Sequence, residues 1–492
     1  MSGGTMSLKT KFLQWAKTPV FWAIAIALVY AAAMMFITIH LLHDSFHSTA
    51  FDLGVFTQEF KNTLQGKILY SPAIGGSQFV PHFSPVLFLL VPIYWIFPHA
   101  QMLLVVQSLL LAFGGYMIYV IARDYNFSPR GSLILEGLYF LNPLLWGVAL
   151  FDFHTESFII PALLVMFLGL RRKNWLFFSL GLLFILASKE DVVLTLGIFG
   201  FILIIFDYWQ HKKVRKTSII IFISAILTYG MGVLVSRLAL AGEPVRMLSY
   251  LSNRYEYVGK PLSVAIPMVT STIFSSGSLF LIGAYLAPFA ALPLLSPEWV
   301  IPGLIVLLSG ILSTNPGQHS ELMQYPAAAL PFLFMAFIEA LPKIQLNKQI
   351  KLFMKRTNNR AFVYSIVFLV IISWLIISDG RIQIASLPDE HDAAINQVIA
   401  LVPDNVTVTA SNEIFPHLCS RTDVYLNATE GKLIAPGAGI TKTDWGFPDK
   451  NTEYVIIDTR VDKSFVINTL VVSGGYELLT TIDGVRLYRV NE

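Results

Sequence analysis

Long apolar runs, separated by short polar loops, dominate the first 378 residues of the chain. Several of these runs approach or exceed the ~18–20 residues that an α-helix needs to cross a bilayer. We therefore expect a polytopic α-helical membrane domain over residues 1–378 with about 11 spans. The predicted spans lie near residues 20–42, 101–121, 131–150, 157–170, 174–188, 191–207, 217–240, 278–295, 297–312, 325–342 and 361–378.

One apolar run does not fit this series. The stretch from Phe83 to Phe97 is interrupted or bounded by four prolines and is too short to cross the membrane. Counting it as a span would also place a basic loop, residues 123–130, on the side opposite to the other basic loops. We therefore predict an interfacial helix over 83–97, within a long outer loop that covers residues 43–100.

After residue 378 the pattern changes to short runs with the two-residue period of β-strands. Residues 379–492 are accordingly predicted to form a small α/β domain. Strands are expected at 406–410, 424–427 and 454–460, helices at 412–419 and 464–474, and a hairpin around Asp483-Gly484, a dipeptide typical of tight β-turns.

Composition and charge agree with this division. The mean hydropathy is +0.64, and only 13% of the residues are charged, too few to cover a soluble protein of 492 residues. Basic residues gather in alternate short loops, which the positive-inside rule places in the cytoplasm. We expect a multi-pass protein of the cell membrane, with a cytoplasmic N-terminus and an extracytoplasmic C-terminal domain. The single cysteine, Cys419, excludes an intrachain disulfide.

The predicted outer loops carry most of the candidate chemistry. Asp52 stands among apolar residues in "AFDLGVFTQEF", and "FDFHTESF" brings Asp152, His154 and Glu156 within five residues. Ionisable groups at membrane depth are costly and are by default functional candidates. An extended "DFHTE" segment can present carboxylates and an imidazole to a hydroxyl group or to a divalent cation, such as Mg²⁺ or Mn²⁺.

Further polar side chains lie on the same predicted face. These candidates for a shared cavity or for phosphate binding are His82, Lys189, Glu190, Asp191, Arg246, Arg254, His319 and Tyr325. Structural roles remain open for several of them. His82 can serve as an interfacial anchor, and Lys189 can be neutralised by Glu190 or Asp191 within "SKED".

The order of these motifs resembles that of a known class of enzymes. A span, a long outer loop with "FDLGVF", "HFSP", "FDFHTESF" and a span ending in "LASKED" are similar to the GT-C integral-membrane glycosyltransferases. The same motifs, with "PHLCSR", "YVIIDTR" and "DGVRLY" near the C-terminus, more closely resemble the predicted membrane proteins of domain-of-unknown-function family 2079. The resemblance covers nearly the whole chain.

The GT-C resemblance implies roles for individual residues. Asp52 would be the catalytic base, Asp152, His154 and Glu156 would bind a metal ion or the donor phosphate, and Lys189 would meet that phosphate. Two departures from the GT-C pattern stand out. The first loop has a lone Asp52 where an Asp-Glu pair is usual, and two acids directly follow Lys189.

Two functions follow from these observations. The first is a glycosyltransferase that moves a sugar from a polyprenyl-phosphate donor to a glycan, lipid or protein acceptor on the outer face of the membrane. The alternative is a non-enzymatic transporter, flippase or membrane-anchored binding protein for a lipid-linked or glycan ligand. The chain shows neither an inverted repeat nor a P-loop, and the clustered ionisable groups favour the enzyme. The expected partners are the bilayer, the lipid-linked donor and the acceptor, and we expect no nucleic acid.

Overall fold

A computed structural model describes residues 14–239, 254–319, 323–346, 360–377, 384–421, 423–426, 452–461 and 475–491. The described chain is mostly helical. In chain order the helices are α1 (Pro19–Met35), α2 (Val55–Leu64), α3 (Val91–Ile96), α4 (Gln101–Asp124), α5 (Pro129–Phe140), α6 (Pro143–Leu150), α7 (Glu156–Arg172), α8 (Trp175–Leu186), α9 (Glu190–His211), α10 (Lys216–Ala239), α11 (Leu262–Ile273), α12 (Ser276–Leu286), α13 (Pro297–Ile311), α14 (Ala329–Leu346), α15 (Arg360–Ile377), α16 (Glu390–Ala400) and α17 (Phe415–Leu418).

Five stretches of described helix are long and apolar enough to cross a membrane, and two bent helix pairs raise that number to seven. The bends measure 51° between α5 and α6 and 50° between α11 and α12. Pro143 begins α6, where its ring and missing N–H prevent α5 from continuing. Several spanning helices are thus present, while the count of eleven and the orientation remain predictions.

The sequence interpretation missed one apolar helix. The apolar pattern predicts an outer loop between the spans near 217–240 and 278–295, but residues 262–273 form α11, which pairs with α12. Pro267 and several Ser and Thr residues interrupt the apolar pattern of this segment and conceal the helix.

The stretch 83–97, predicted as an interfacial helix, forms a 3₁₀ turn, Pro85–Leu89, followed by α3. Its position relative to the lipid stays a prediction.

Small residues allow close packing between neighbouring helices. A Cβ on Gly169 of α7 would lie 2.2 Å from the backbone nitrogen of Phe178 in α8, and a Cβ on Gly181 would lie 2.5 Å from the carbonyl oxygen of Ala162. Only glycine permits such contacts, so α7 and α8 pack backbone to backbone. This packing fixes the position of α7, which begins next to the candidate site.

The C-terminal region forms a five-stranded sheet in the order β4-β3-β5-β7-β6. A separate two-stranded hairpin lies in the first outer loop. The strands are β1 (Tyr70–Ser71), β2 (Gly76–Ser77), β3 (Thr407–Ala410), β4 (Asp423–Leu426), β5 (Tyr454–Asp458), β6 (Tyr476–Ile482) and β7 (Val485–Val490). Strand β3 pairs in parallel with β4 and β5, whereas β7 pairs antiparallel with β5 and β6.

Most of the predicted elements of this sheet are confirmed. Asp483 and Gly484 both have positive φ, 46° and 86°, as a two-residue hairpin turn requires. Helix α16 was not predicted, and the helix predicted at 464–474 lies outside the described residues. The domain boundary at 378/379 stays a prediction.

The sheet region shares a buried core with the first outer loop. Phe46, Ala50 and Val55 pack with Val408 and Phe415 in one apolar cluster. Lys61 of α2 pairs with Asp423 at 2.9 Å. The C-terminal region therefore contacts the segment that carries Asp52.

Candidate active site

Asp52 lies in a strained turn at the start of α2. Its backbone has φ 70° and ψ −82°, a conformation that costs a non-glycine residue about 1–3 kcal/mol. Two contacts with the C-terminal region hold the turn. The Ala50 N–H donates to Asn412 Oδ1 at 3.2 Å, and the ring of Phe415 lies against Gly54. Such strain persists only where the surroundings determine the backbone, and it is often found at functional sites.

The side chain of Asp52 forms an ion pair with His154, whose Nε2 lies 2.8 Å from Asp52 Oδ2. The other ring nitrogen, Nδ1, lies 2.6 Å from the carbonyl oxygen of Asp152 and must carry a hydrogen, because a carbonyl only accepts. A neutral ring would then direct its lone pair at a carboxylate. One further proton in the pair removes this repulsion. On Nε2 it makes His154 an imidazolium beside an ionised Asp52, an ion pair whose N–H is not aligned with the carboxylate for a hydrogen bond.

Electrostatics favour the same assignment of the proton. Burial acts to raise the pKa of Asp52, but the positive charge and close contact of His154, with smaller contributions from Lys189 and His82, lower that pKa below its usual value. Burial acts to lower the pKa of His154, and the charge of Asp52 raises it above its usual value. The two shifts have opposite signs, and each favours the charged form of its residue.

Neighbouring side chains fix the loop that carries His154. The Thr49 N–H and hydroxyl both donate to Asp152 Oδ2, at 3.0 and 2.7 Å, and so join the two outer loops. Gln107 of α4 accepts a hydrogen bond from the His154 N–H at 3.1 Å and donates to the carbonyl oxygen of Phe151 at 3.0 Å. These contacts orient the imidazole toward Asp52.

Two further ion pairs lie beside this loop. Lys189 Nζ is 2.6 Å from Glu156 Oε1, and both side chains are buried. His82 Nδ1 is 2.7 Å from Glu190 Oε1, while the other oxygen of that carboxylate accepts from the Phe83 N–H. Lys189 lies farther from Asp191, at 4.0 Å. The main partner of Lys189 is therefore Glu156 of α7. The pairing with an acid of "SKED", which the sequence left open, is the weaker contact.

A cavity of about 200 Å³ adjoins these pairs. The predicted site residues on its wall are His82, Glu156, Glu190, Asp191, Arg254 and Tyr325. Asp52 and Lys189 are not wall residues, but both lie close to the wall. Lys189 pairs with the wall residue Glu156. Asp52 pairs with His154, which precedes Glu156 by two positions. The Arg254 guanidinium lies 5.9 Å from the centre of the Tyr325 ring. The cavity therefore combines carboxylates, cations and an apolar wall.

The structure does not assemble Asp152, His154 and Glu156 into a metal site. Asp152 accepts from Thr49, His154 pairs with Asp52, and Glu156 pairs with Lys189. Across the part of the chain that the structure describes, no group of three or more His, Cys, Asp or Glu side chains is arranged to hold a metal ion. A metal ligand set needs donor atoms that converge, and here each donor is directed to a different protein partner.

Two predicted site residues have side chains outside the described part of the chain, and three residues of the site were not predicted from the sequence. Arg246 lies outside the described residues. His319 ends a 3₁₀ turn, and its side chain also lies outside the described part. The sequence interpretation missed Thr49, Gln107 and Asn412; of these, only Gln107 had a local signal, as an amide within an apolar span.

Glu59 of α2 is a buried carboxyl near Asp52. It is fully buried, and neither carboxyl oxygen has a hydrogen-bond partner among the described residues. Burial, reinforced by the negative charge of Asp52, raises the pKa of Glu59 well above its usual value. The surroundings therefore favour the protonated form of Glu59 and the ionised form of Asp52.

Fold and site together define a polytopic membrane protein with charged side chains gathered beside a cavity at the ends of its helices. Residues 42–486 match the family of predicted membrane proteins designated DUF2079, and the chain belongs to that family. A search of curated proteins found no match.

Solved structures show what the fold is similar to. ArnT from Cupriavidus metallidurans, in a crystal structure bound to undecaprenyl phosphate, has 11% sequence identity and a TM-score of 0.55, with 94% of this chain and 97% of that chain covered. Its apo crystal structure has a TM-score of 0.54 at the same identity and coverage. The mycobacterial arabinofuranosyltransferase AftD has 12% identity and a TM-score of 0.46, with 100% of this chain and 42% of that chain covered. The overall fold is thus similar to that of ArnT.

Proposed function

We propose that this protein is an integral-membrane glycosyltransferase that moves a sugar from a polyprenyl-phosphate donor to an acceptor on the outer face of the cell membrane. The observation that carries the proposal is the ionised, strained Asp52, paired with His154 at 2.8 Å beside a charged cavity. Support also comes from the fold, which is similar to that of ArnT, a protein whose crystal structure holds undecaprenyl phosphate.

Asp52 is the proposed general base. Its Oδ2 contacts His154, and about a third of its side chain remains accessible (34%), which leaves Oδ1 to accept a proton from an acceptor hydroxyl. As that proton moves to Asp52, the acceptor oxygen forms a bond to the anomeric carbon of the sugar. The bond from this carbon to the phosphate oxygen breaks, and polyprenyl phosphate leaves with the electron pair. A well-placed base accelerates such a step by about 10²–10⁴-fold.

Arg254 is the cavity cation best suited to the leaving phosphate. It is a wall residue, whereas the charge of Lys189 is directed to Glu156 at 2.6 Å. Arginine also binds phosphate through two parallel N–H groups, which lysine does not offer. Lys189 is then a positioning residue that fixes Glu156 and contributes positive charge near Asp52. We expect Asp191, a wall carboxylate that is 38% accessible, to accept hydrogen bonds from sugar hydroxyls, while Glu190 holds His82 and the Phe83 N–H.

The surroundings suggest where the lipid and the acceptor bind. Trp95, Ile96 and Phe97, at the end of α3, are exposed apolar residues and would contact the hydrocarbon part of the donor. The sheet region, which packs against the Asp52 turn, would hold the acceptor or cover the site. No step is assigned to a metal ion at Asp152, His154 and Glu156, because these side chains are engaged with Thr49, Asp52 and Lys189.

The test is a transfer assay with purified protein, labelled polyprenyl-phosphate sugars and a membrane extract as the source of acceptor. We expect transfer of label with one donor, and we expect Arg254→Gln to raise the KM for that donor. Arg237→Gln is the matched control, since Arg237 also lies near the active-site end of the helices but not on the cavity wall. Absence of transfer with every donor, or equal effects of the two arginine variants, would contradict the proposal.

A further inference from the structure

A second cavity, of about 320 Å³, lies where α7 ends and where α8 and α10 begin. Its polar lining is strongly basic. The residues that form this basic pocket and carry the argument are Lys173, Asn174, Trp175, Phe178, Arg215 and Lys216. The described part of the chain contributes no acidic side chain to the lining.

The positive charge of the basic pocket is only partly balanced. Arg215 pairs with Asp207 at 2.6 Å, and the same buried carboxylate accepts from the Arg215 N–H and from the Ser218 hydroxyl. Within the described residues, neither Lys173 nor Lys216 has an ion-pair partner. The amino-terminal ends of α8 and α10 add partial positive charge at the same place, and the carboxyl-terminal end of α7 offsets part of it. The pocket therefore attracts an anion.

The basic pocket lies at the opposite ends of the helices from the active site. Helix α7 runs from Glu156 at the active site to Arg172 beside the pocket, and α9 runs from Glu190 to His211 in the same direction. Helices of 17 and 22 residues are about 25 and 33 Å long. This length matches the hydrocarbon thickness of a bilayer, about 30 Å. An active site at one membrane–water interface thus places the basic pocket at the other interface.

The lining also fits a molecule that is part polar and part apolar. Leu170, a half-buried residue of the lining, contributes an apolar surface beside the lysines, whereas Phe178 is buried beneath it. Trp175 and the adjacent Leu176 are exposed apolar side chains of α8 that face away from the protein core, in the manner of residues at a membrane interface. A small hydrophilic anion would not use these apolar contacts, whereas the phosphate and the first carbons of a lipid would.

We propose that the basic pocket binds the phosphate group of an anionic membrane lipid, on the face of the membrane opposite to the active site. Lys173 and Lys216 would contact the phosphate, and Leu170 and Trp175 would contact the glycerol and the upper acyl chain. The lipid would come from the leaflet on the side of the basic pocket, opposite to the leaflet at the active site. The proposal does not depend on the glycosyltransferase activity.

The experiment measures lipid retention by native mass spectrometry of the full-length protein. Protein in detergent is titrated with dioleoylphosphatidylglycerol, with dioleoylphosphatidylcholine or with inorganic phosphate, and the bound fraction is recorded. We expect saturable binding of one phosphatidylglycerol, with clear preference over phosphatidylcholine. The double variant Lys173→Gln/Lys216→Gln should weaken this binding by about tenfold or more, as the loss of two interfacial cations predicts. The variant Lys173→Arg/Lys216→Arg should retain it.

The control variant is Lys212→Gln/Lys213→Gln, which removes the same charge from the same loop region but no residue of the pocket lining. We expect its phosphatidylglycerol affinity to stay within about twofold of the wild-type value. Equal losses in both double variants would overturn the proposal, because binding would then be a property of the basic surface as a whole. Equal retention of the two lipids, or binding of inorganic phosphate as tight as that of phosphatidylglycerol, would also overturn it.

Discussion

The ring of Phe415 occupies the space in which a side chain at Gly54 would stand. A Cβ on Gly54 would lie 2.5 Å from Cδ1 of that ring, closer than carbon atoms approach one another. Phe415 belongs to α17 in the C-terminal region, and Gly54 lies two residues after Asp52. The C-terminal region therefore limits where the Asp52 turn can lie.

This contact predicts the effect of Gly54→Ala. The φ of Gly54 is −67°, which alanine adopts without strain, so the substitution acts through the clash with Phe415 alone. Overpacking of this kind typically costs about 1–3 kcal/mol. We expect a lower midpoint of thermal unfolding and a lower kcat, with both recovered in part by Gly54→Ala/Phe415→Leu. Gly137→Ala is the control, because nothing lies within 4 Å of the added carbon. It should leave kcat unchanged and should not lower the midpoint, since alanine favours the helix that contains Gly137. A failure of the double variant to recover would contradict the steric explanation.

The pairing of Asp52 with His154 predicts a change in pH dependence. Burial alone would raise the pKa of Asp52, and His154 reverses this effect. Replacing His154 with Gln should therefore raise the pKa of Asp52 and move the acid limb of the kcat/KM profile to higher pH. A profile in which the acid limb does not move would show that His154 does not control the ionisation of Asp52.

The same pair predicts how stability varies with pH. The lowered pKa of Asp52 contributes stability that is lost as pH falls through that pKa, and the raised pKa of His154 contributes stability that is lost as pH rises through it. In His154→Gln the loss of stability at the alkaline side should disappear. The loss at the acid side should weaken or change sign, because burial then raises the pKa of Asp52. Parallel curves for the variant and the wild-type protein would contradict this expectation.

The buried pair of Glu156 and Lys189 predicts a strongly non-additive double-mutant cycle. Removing one partner leaves an uncompensated buried charge, which costs about 3–5 kcal/mol. We expect Glu156→Gln and Lys189→Met each to lower the unfolding midpoint, and the double variant to be more stable than either single variant. The exposed pair of Glu477 and Arg489, 2.9 Å apart, is the comparison, and breaking it should cost less than about 1 kcal/mol. Additive losses in the buried pair would refute the pairing.

The buried carboxyl of Glu59 predicts a loss of stability that grows with pH. The raised pKa of Glu59 means that the folded state holds the proton more tightly than the unfolded state does. Stability therefore falls as pH rises from the unfolded pKa, about 4.3, toward the folded pKa. Glutamine has a similar size and does not titrate, so we expect Glu59→Gln to match the wild-type unfolding midpoint near pH 4 and to exceed it at pH 7 and above. A midpoint for Glu59→Gln well below the wild-type value at pH 7 would contradict this expectation.

The sequence predicted the regions of the site better than its contacts. Acids and histidines at the ends of apolar runs indicated Asp52, the 152–156 segment and the "SKED" segment, because charge at membrane depth has a high cost that only function or pairing offsets. The partner of Lys189 could not be predicted, since Glu156 is 33 positions away and Glu190, the neighbour in sequence, turns to His82. A local pattern carries no information on such distant pairing.

The backbone at Asp52 shows a similar limit. Gly54 is the residue that sequence favours for a left-handed conformation, yet the positive φ belongs to Asp52. The turn is held by Asn412 and Phe415, more than 350 positions away, so its strain has no local signal. The helix at 262–273 was missed for a different reason, since proline and hydroxyl side chains interrupt its apolar pattern.

The central claim is that Asp52 accepts the proton of the acceptor, and single-turnover transfer by Asp52→Asn tests it most directly. Asparagine preserves the size of the side chain but cannot act as the base. With a donor that the wild-type protein uses, we predict a transfer rate about 10²–10⁴-fold lower and an unchanged Kd for the donor. Asp44→Asn is the control, because Asp44 lies on the same loop but pairs with His40 at 2.8 Å, and its transfer rate should match that of the wild-type protein. A wild-type transfer rate in Asp52→Asn would contradict the account.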